Sequence, residues 1–176
     1  MLNPIPSEVD VAVIGAGSAG LPAFRAAREH TDRVILIERG PHGTTCARVG
    51  CMPSKLLIAA AEAAHGMEIA PGFGIHPGSI SIDGEAVMER VRRERDRFVG
   101  FVLDGVDRID PEQKISGQAR FVEDSRLEIG NSQVRAGRVV IASGTSPAIP
   151  DFLEQVRDRV SVKDDVFEWK TLPESV

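Results

Sequence analysis

The pattern of apolar and polar positions divides the chain into a strand-and-helix beginning, a helical middle and a second part rich in strands. Residues 9–14 and 34–37 are short, nearly continuous apolar runs, which is typical of parallel strands buried on both faces of a sheet. The stretch between them predicts a helix that ends near His30. This succession indicates an α/β fold built on a parallel sheet.

The middle of the chain predicts two helices, separated by a loop over residues 66–84 that is rich in Gly and Pro. The first is predicted from Pro53 to His65, because Pro suits the first helical position and the Gly that follows is a stop signal. The second is predicted over residues 85–109. Its apolar stripe consists of Val87, Val91, Phe98, Val102, Val106 and Ile109. Its other face carries charges of both signs, including Arg95, which favours a solvated, salt-bridged face over an RNA-binding one.

From Lys114 onwards the hydrophobic period changes to two, which predicts strands. Short strands are expected over residues 117–122, 126–129 and 133–135, with a Gly-Asn turn between the last two. Residues 138–142 form a further apolar run that predicts a return to the parallel sheet. The expected fold class is therefore α/β, with a β-meander inserted into a parallel sheet.

Composition narrows the classes of function. The chain has 176 residues, enough for one domain and the start of a second. Its net charge of −5 argues against general nucleic-acid binding. We expect neither a signal peptide nor a membrane span, because no basic segment precedes an apolar run and no apolar stretch is long enough. Two cysteines in such a chain favour a cytoplasmic protein, where disulfides tend to be catalytic.

A glycine-rich turn follows the first predicted strand. Gly15, Gly17 and Gly20 have the spacing of a dinucleotide-binding turn, and Glu38 ends the second strand about twenty residues on. Gly15 would make the tight turn, Gly17 would let a pyrophosphate approach, and Gly20 would let helix and strand pack closely. Glu38 would accept hydrogen bonds from a ribose. Pro22 is compatible with the predicted helix only if the helix begins near residue 18, because Pro22 then lies at the edge of the first turn.

The two cysteines, Cys46 and Cys51, are separated by four residues. In a regular helix residues at this spacing lie about 8 Å apart, whereas a disulfide needs Cα atoms within about 7 Å. If the two are bonded, the backbone between them is irregular, and Gly50 is the expected place. Two free and inert cysteines are one alternative. A metal site with His42 and His65 is another, although zinc ligands usually have shorter spacings.

The segment around the cysteines reads GTTCARVGCMPSKLLI. It resembles the redox-disulfide signature of the class I flavin-dependent pyridine nucleotide–disulfide oxidoreductases, commonly G-G-T-C-x-N-x-G-C-x-P-S-K. The P-S-K ending is most similar to dihydrolipoamide dehydrogenase and mercuric reductase. Two positions differ from the signature. Thr44 stands where the signature has Gly, so a β-branched residue has to adopt a conformation usually left to Gly. Arg48 stands where the signature has Asn and adds a cation near the cysteines.

The resemblance implies a Rossmann-like FAD-binding domain over residues 1–150, incomplete relative to the family, and a crossover over residues 151–176 towards an NAD-binding domain. The residues it assigns to the cofactor are Gly15, Gly17, Gly20, Glu38, Thr45, Lys55, Ala119, Ser143 and Gly144. Residues 117–121 are similar to a family strand whose backbone touches the adenine, and residues 142–147 are similar to a segment that closes over FAD. Lys55 would stabilise the reduced flavin by its charge.

The activity that the resemblance implies is electron transfer between NAD(H), FAD, a Cys46–Cys51 disulfide and a lipoyl-type substrate. Cys51 would contact the flavin, and Cys46 would exchange with the substrate. The resemblance also implies a homodimer for a full-length protein. Because the match covers about the first third of a family member, we expect no turnover from these 176 residues alone. A mercuric reductase-like enzyme and a nucleotide-binding module without catalysis are the alternatives.

Overall fold

Six strands within the described residues, 5–176, form one sheet in the computed structural model. The elements, in chain order, are β1 (Glu8–Ile14), α1 (Gly20–Arg28), β2 (Val34–Glu38), α2 (Thr45–Val49), α3 (Cys51–Ile69), α4 (Gly84–Asp107), β3 (Lys114–Ser116), β4 (Ala119–Glu123), β5 (Arg126–Ile129), β6 (Ser132–Ile141) and α5 (Lys163–Val166). Ala70–Phe73 and Asp151–Arg159 form 3₁₀ helices. The chain divides into two compact units, one of which joins the part up to Thr45 with Gly100–Ser146. The other joins Cys46–Val99 with Pro147–Val176.

The sheet has the order β3-β2-β1-β6-β5-β4. Strands β1, β2, β3 and β6 are parallel, whereas β4, β5 and the start of β6 form an antiparallel meander. The predicted α/β class is confirmed. Two details of the prediction are wrong: the strands predicted over residues 133–135 and 138–142 are one continuous strand, and β3 was not predicted. A strand of three residues is too short to show a period in the sequence.

The sheet is covered on both faces. Val34 and Leu36 of β2 face one cluster of buried side chains, and Ile35 and Ile37 face another. The first cluster includes Leu21 and Phe24 of α1 and Val106 of α4. The second includes Leu127, Ile129 and Val134 of the meander. Since β2 is buried on both faces, it shows the continuous apolar run that predicted it.

Helix α3 is longer than predicted at both ends. It begins at Cys51 rather than Pro53 and continues through Gly66 to Ile69. Pro53 is therefore the third helical residue, where its missing N–H removes no intrahelical bond. A Cβ at Gly66 would meet nothing within 4 Å, so close packing does not require a glycine here. Its low helix propensity makes the helix less stable at this position. No helix of the described residues combines the length and the apolar content needed to cross a membrane.

Helix α4 matches its prediction closely, but its charged face is not entirely solvated. Arg95 is buried, which corrects the expectation that this face is exposed. Its guanidinium donates to Asp96 at 2.8 Å and to Glu168. Arg92 donates to the backbone oxygen of Trp169. Periodicity finds a charged face, but it does not reveal that residues after α5 pack on that face.

Candidate functional site

The glycine turn after β1 is closely packed at two of its three glycines. Gly15 has a φ of 103°, and a Cβ there would lie 2.2 Å from the carbonyl oxygen of Ala142. A Cβ at Gly20 would lie 1.7 Å from the carbonyl oxygen of Gly15. Both distances are far below van der Waals contact, so no other residue fits. A Cβ at Gly17 would meet nothing within 4 Å, which leaves the backbone of the turn open there.

Helix α1 starts directly from this turn. Its first residue is Gly20 rather than a residue near position 18, and the N–H of Leu21 donates to the carbonyl of Gly17 at 3.0 Å. Pro22 is consequently the third helical residue, where no N–H is required. The free N–H groups and the dipole of a helix N-terminus favour a phosphate at this position.

A cavity of about 300 Å³ lies where β1, β2 and β6 end. Its lining consists of Ile14, Gly15, Ile37, Glu38, Arg39, Gly117, Gln118, Ala119, Ser143, Gly144, Thr145 and Ser146. Five of the residues assigned to the cofactor from the sequence are therefore brought together here. Gln118, Thr145 and Ser146 belong to the two segments expected at the adenine and over FAD, although they were not predicted individually as cofactor residues. Arg39 was not predicted, and its only signal in the sequence is its position next to Glu38.

Glu38 connects the glycine turn to the end of β2. Its carboxylate accepts hydrogen bonds from the backbone N–H of Ala16 at 2.7 Å and of Gly40 at 2.8 Å. The pKa of Glu38 is lowered from its ordinary value. Burial alone would raise this pKa, but the hydrogen bonds donated by the N–H groups of Ala16, Gly40 and Arg39 outweigh burial, and the charge of His42 adds to their effect. A carboxylate has about four acceptor positions, so it retains capacity for a ribose hydroxyl. The Nδ1 atom of His42 is buried without a hydrogen-bond partner among residues 5–176.

The two cysteines lie on either side of an interruption between two helices. Cys46 is the second residue of α2, Cys51 is the first of α3, and Gly50 separates the helices with φ −139° and ψ −117°. The irregularity expected at Gly50 is present. The disulfide is not: both cysteines are free thiols in this structure. A sequence cannot specify which redox form of a dithiol pair is present, because both forms share the same residues.

The free thiols nevertheless interact. A hydrogen bond to the Cys51 side chain, burial and the charge of Cys51 all raise the pKa of Cys46. Cys46 therefore retains its proton more firmly than an ordinary thiol and can donate it towards the Cys51 sulfur. Cys51 is exposed at the N-terminus of a 19-residue helix, where the helix dipole favours negative charge.

The remaining predicted residues lie near the cysteines along the chain. Thr45 is the exposed first residue of α2. Lys55 is exposed on α3, four residues after Cys51, so the two share one helix face. Thr44 has a φ of 59°, as expected from its place in the signature. Arg48, expected to add charge near the cysteines, is not among the groups that shift the pKa of Cys46.

Five predicted residues line the cavity of the first unit, and three others, Cys46, Cys51 and Lys55, belong to the second unit. Gly17, Gly20 and Thr45 belong to the first unit but are not part of the cavity lining. Within residues 5–176 no group of three His, Cys, Asp or Glu side chains is arranged to hold a metal ion.

Residues 9–174 match the family model described as pyridine nucleotide-disulphide oxidoreductase. The chain belongs to this family. Its members use FAD and NAD(P), and the chain represents an N-terminal portion of the class I enzymes.

Curated relatives with several different activities resemble the chain. It is 36% identical to a mercuric reductase of Streptomyces lividans, over 94% of the chain and 36% of the relative. It is 31% identical to a glutathione reductase of Burkholderia cepacia, and the match covers 94% of this chain and 36% of that relative. It is also 31% identical to a dihydrolipoyl dehydrogenase of Chlamydia muridarum, and that match covers 95% of this chain and 37% of the relative. The chain therefore spans about a third of the length of these relatives.

A solved structure shares the fold. A cysteine-to-serine mutant of the HOCl-induced flavoprotein disulfide reductase RclA from Escherichia coli superimposes with a TM-score of 0.73 at 21% identity. The match covers 96% of this chain and 36% of that one. The mixed α/β architecture of the chain is therefore that of part of a flavoprotein disulfide reductase.

Proposed function

We propose that the chain is the FAD-binding and dithiol portion of a disulfide oxidoreductase, with residues 1–150 holding the cofactor and residues 151–176 leading towards an NAD-binding domain. The cavity at the ends of β1, β2 and β6 carries the proposal, since it gathers a glycine turn, an acid and a polar loop. Ligands of α/β proteins bind at this edge of a sheet. Bound FAD would supply a two-electron redox centre.

The residues of the chain have distinct roles in this proposal. The turn at Gly17 and the N-terminus of α1 hold the pyrophosphate. Glu38 accepts hydrogen bonds from the adenosine ribose, while Ala119, Ser143 and Gly144 enclose the nucleotide. The pair of Cys46 and Cys51 stores two electrons as thiols and releases them when it forms a disulfide.

The thiol pair accounts for the proposed exchange chemistry. Cys46, with its raised pKa, keeps its proton on the side of the Cys51 sulfur, and we assign the flavin contact to Cys51. Exchange with a disulfide substrate takes place at Cys46 once that proton has left, since only a thiolate attacks sulfur. Lys55 places a positive charge on the helix face of Cys51.

A lipoyl-type disulfide is the substrate we propose, with the full protein acting as a homodimer in the cytoplasm and drawing on NAD(H). The dihydrolipoyl dehydrogenase among the relatives supports this choice, and the P-S-K ending is compatible with it and with a mercuric reductase alike. A second candidate is a mercuric reductase-like enzyme, favoured by the 36% identity to the Streptomyces lividans relative.

Flavin binding tests the proposal. FAD added to the purified chain is expected to bind one to one, with quenching of its fluorescence. Gly17→Val should weaken binding at least tenfold with little change in the melting curve, because a Cβ at Gly17 meets nothing within 4 Å in the free protein. Gly78→Val, also in open space, serves as the control and should bind normally. An unchanged affinity in Gly17→Val would contradict the assignment of the turn.

The substrate is tested by thiol exchange. Oxidised lipoamide is expected to convert Cys46 and Cys51 to a disulfide faster than oxidised glutathione does, as counted by the loss of free thiols. Equal rates would contradict a lipoyl substrate. Tight retention of Hg(II) by the reduced pair together with equal rates would favour the mercuric reductase-like alternative.

A further inference from the structure

Arg39 lines the cavity proposed to hold the nucleotide, and its side chain is exposed. Its backbone N–H donates to the carboxylate of Glu38, but its guanidinium has no hydrogen bond or ion pair with any of residues 5–176. Exposed arginines without a partner are ordinary on protein surfaces. Arg39 differs because it is the only cationic side chain in the described lining of this cavity, so its guanidinium is available to whatever the cavity binds.

The order of the strands shows which part of the cavity Arg39 belongs to. Strand β2 lies between β1, which leads into the glycine turn, and β3. Glu38, the last residue of β2, is bonded in both directions. Its carboxylate accepts from the N–H of Ala16 in the turn at 2.7 Å, and its carbonyl accepts from the N–H of Gly117 after β3 at 2.8 Å. The cavity therefore runs from the glycine turn across the end of β2, where Arg39 follows Glu38, to residues 117–119.

This arrangement indicates how a dinucleotide lies in the cavity. The pyrophosphate belongs at the N-terminus of α1, and the ribose belongs at Glu38. Because a nucleotide carries its base and its phosphate on opposite ends of the ribose, the base continues past Glu38 towards Arg39 and residues 117–119. The described lining contains no aromatic side chain that could cover the flat face of a base. The guanidinium of Arg39 is planar, and guanidinium planes stack on bases.

We propose that Arg39 stacks its guanidinium on the adenine ring of the bound dinucleotide, and this inference rests on the proposed FAD-binding function. Glu38 and Arg39 then act on neighbouring parts of one nucleotide, because the carboxylate accepts from the ribose and the guanidinium covers the base. A charge contact between Arg39 and the pyrophosphate is the alternative. It is the less favourable one, since the carboxylate of Glu38, not the guanidinium, is bonded to the glycine turn.

Three substitutions separate stacking from charge, with ADP as the probe because it carries the adenine and the pyrophosphate but no flavin. Arg39→Ala removes both the plane and the charge and should weaken ADP binding about tenfold in calorimetry. Arg39→Lys keeps the charge without the plane and should weaken binding nearly as much. Arg39→Tyr keeps a plane without the charge and should bind ADP within about threefold of the wild-type affinity. FAD should give the same order of affinities.

Arg138→Ala is the matched control. Arg138 is an exposed arginine of the same unit and lies outside the cavity lining, so its removal takes away the same charge and should leave the affinity for ADP unchanged. The substitutions at Arg39 all retain the backbone N–H that donates to Glu38. They should therefore change the melting curve of the ligand-free protein little.

Three results would overturn the proposal, and they differ in what else they contradict. If the wild-type chain binds FAD and ADP, and Arg39→Ala binds ADP as tightly as Arg138→Ala does, Arg39 has no role and the FAD-binding function stands. If Arg39→Lys binds like the wild type while Arg39→Tyr binds as weakly as Arg39→Ala, the contact is one of charge with a phosphate and the stacking is wrong. If the wild-type chain binds neither ADP nor FAD, both the stacking and the FAD-binding function are wrong.

Discussion

The cavity proposed for the cofactor and the segment that carries the two thiols are held in place by different means. The glycine turn of the cavity lies between β1 and α1, on a sheet covered by buried side chains on both faces. In α3, which is described along its whole length, Pro53 is the only buried residue. The position of the turn is thus fixed by close packing, and that of the thiols by backbone conformation and a few polar contacts. Substitutions should therefore act through volume in the first region and through local backbone preference or charge in the second.

The largest effect is expected in the packed region. Gly20→Ala places a methyl group 1.7 Å from the carbonyl oxygen of Gly15 and should lower the free energy of unfolding by about 3 kcal/mol. Gly17→Ala, which adds the same methyl group to open space, should change it by less than about 0.5 kcal/mol. Urea denaturation measures both. Equal effects of the two substitutions would show that close packing does not govern the turn.

A smaller loss is expected in the second unit, at the charged face of α4. Arg95→Ala removes a buried guanidinium that donates to Asp96 and Glu168 and should cost about 2 kcal/mol. Arg93→Ala is the matched control, because Arg93 is an exposed arginine on the same helix, and it should cost less than about 0.5 kcal/mol. A loss in Arg93→Ala as large as in Arg95→Ala would mean that burial of Arg95 is unimportant.

Glu38 should make the packed region sensitive to acid. Since its pKa in the folded protein lies below the ordinary value of 4.5, its stabilising contribution is complete above that pH and is lost as the pH falls through the lowered pKa. Glu38→Gln should therefore destabilise the protein by about 1 kcal/mol at pH 7 and flatten the fall in stability below pH 4.5. Thermal unfolding between pH 3 and 7 measures this, with the exposed Glu62→Gln as the control. An acid-induced fall of unchanged slope in Glu38→Gln would contradict the assignment.

The smallest effect is a gain in stability in α3. Gly66→Ala should stabilise the protein by about 0.5–1 kcal/mol, because Gly66 lies inside the helix with open space around it. Gly74→Ala, at a φ of 78°, should instead destabilise it. Melting curves compare the two. A loss of stability in Gly66→Ala would place the end of α3 at residue 65, as the sequence had suggested.

The sequence predicts the parts of the fold that depend on local patterns. Strands β1 and β2 show continuous apolar runs because both of their faces are buried. Helix α4 shows an apolar stripe because only one of its faces is buried. The burial of Arg95 and the end of α3 at Ile69 depend on segments distant in sequence or on weak preferences, so no local pattern reveals them. Gly66 is a strong signal for a helix end, yet it costs a helix only about 1 kcal/mol.

The candidate site shows the same division. Gly15, Glu38, Ala119, Ser143 and Gly144 were chosen from motifs, and the sheet topology brings them to one cavity. The motifs also place residues 117–121 and 142–147 at the cofactor, but they do not predict which individual neighbours point inwards, because that depends on the twist and register of the strands. The redox form of the cysteines likewise has no sequence signal.

The interruption at Gly50 has a consequence for the kinds of change this segment can tolerate. In one continuous helix, residues five apart differ by about 140° around the axis, so the two sulfurs would face different sides. Gly50 resets that rotation between α2 and α3. Adding or deleting one helical residue on either side of Gly50, between it and a cysteine, would turn that cysteine by about 100° relative to the other. The number of residues at this joint should therefore matter more to the thiol pair than the identity of the residues around it.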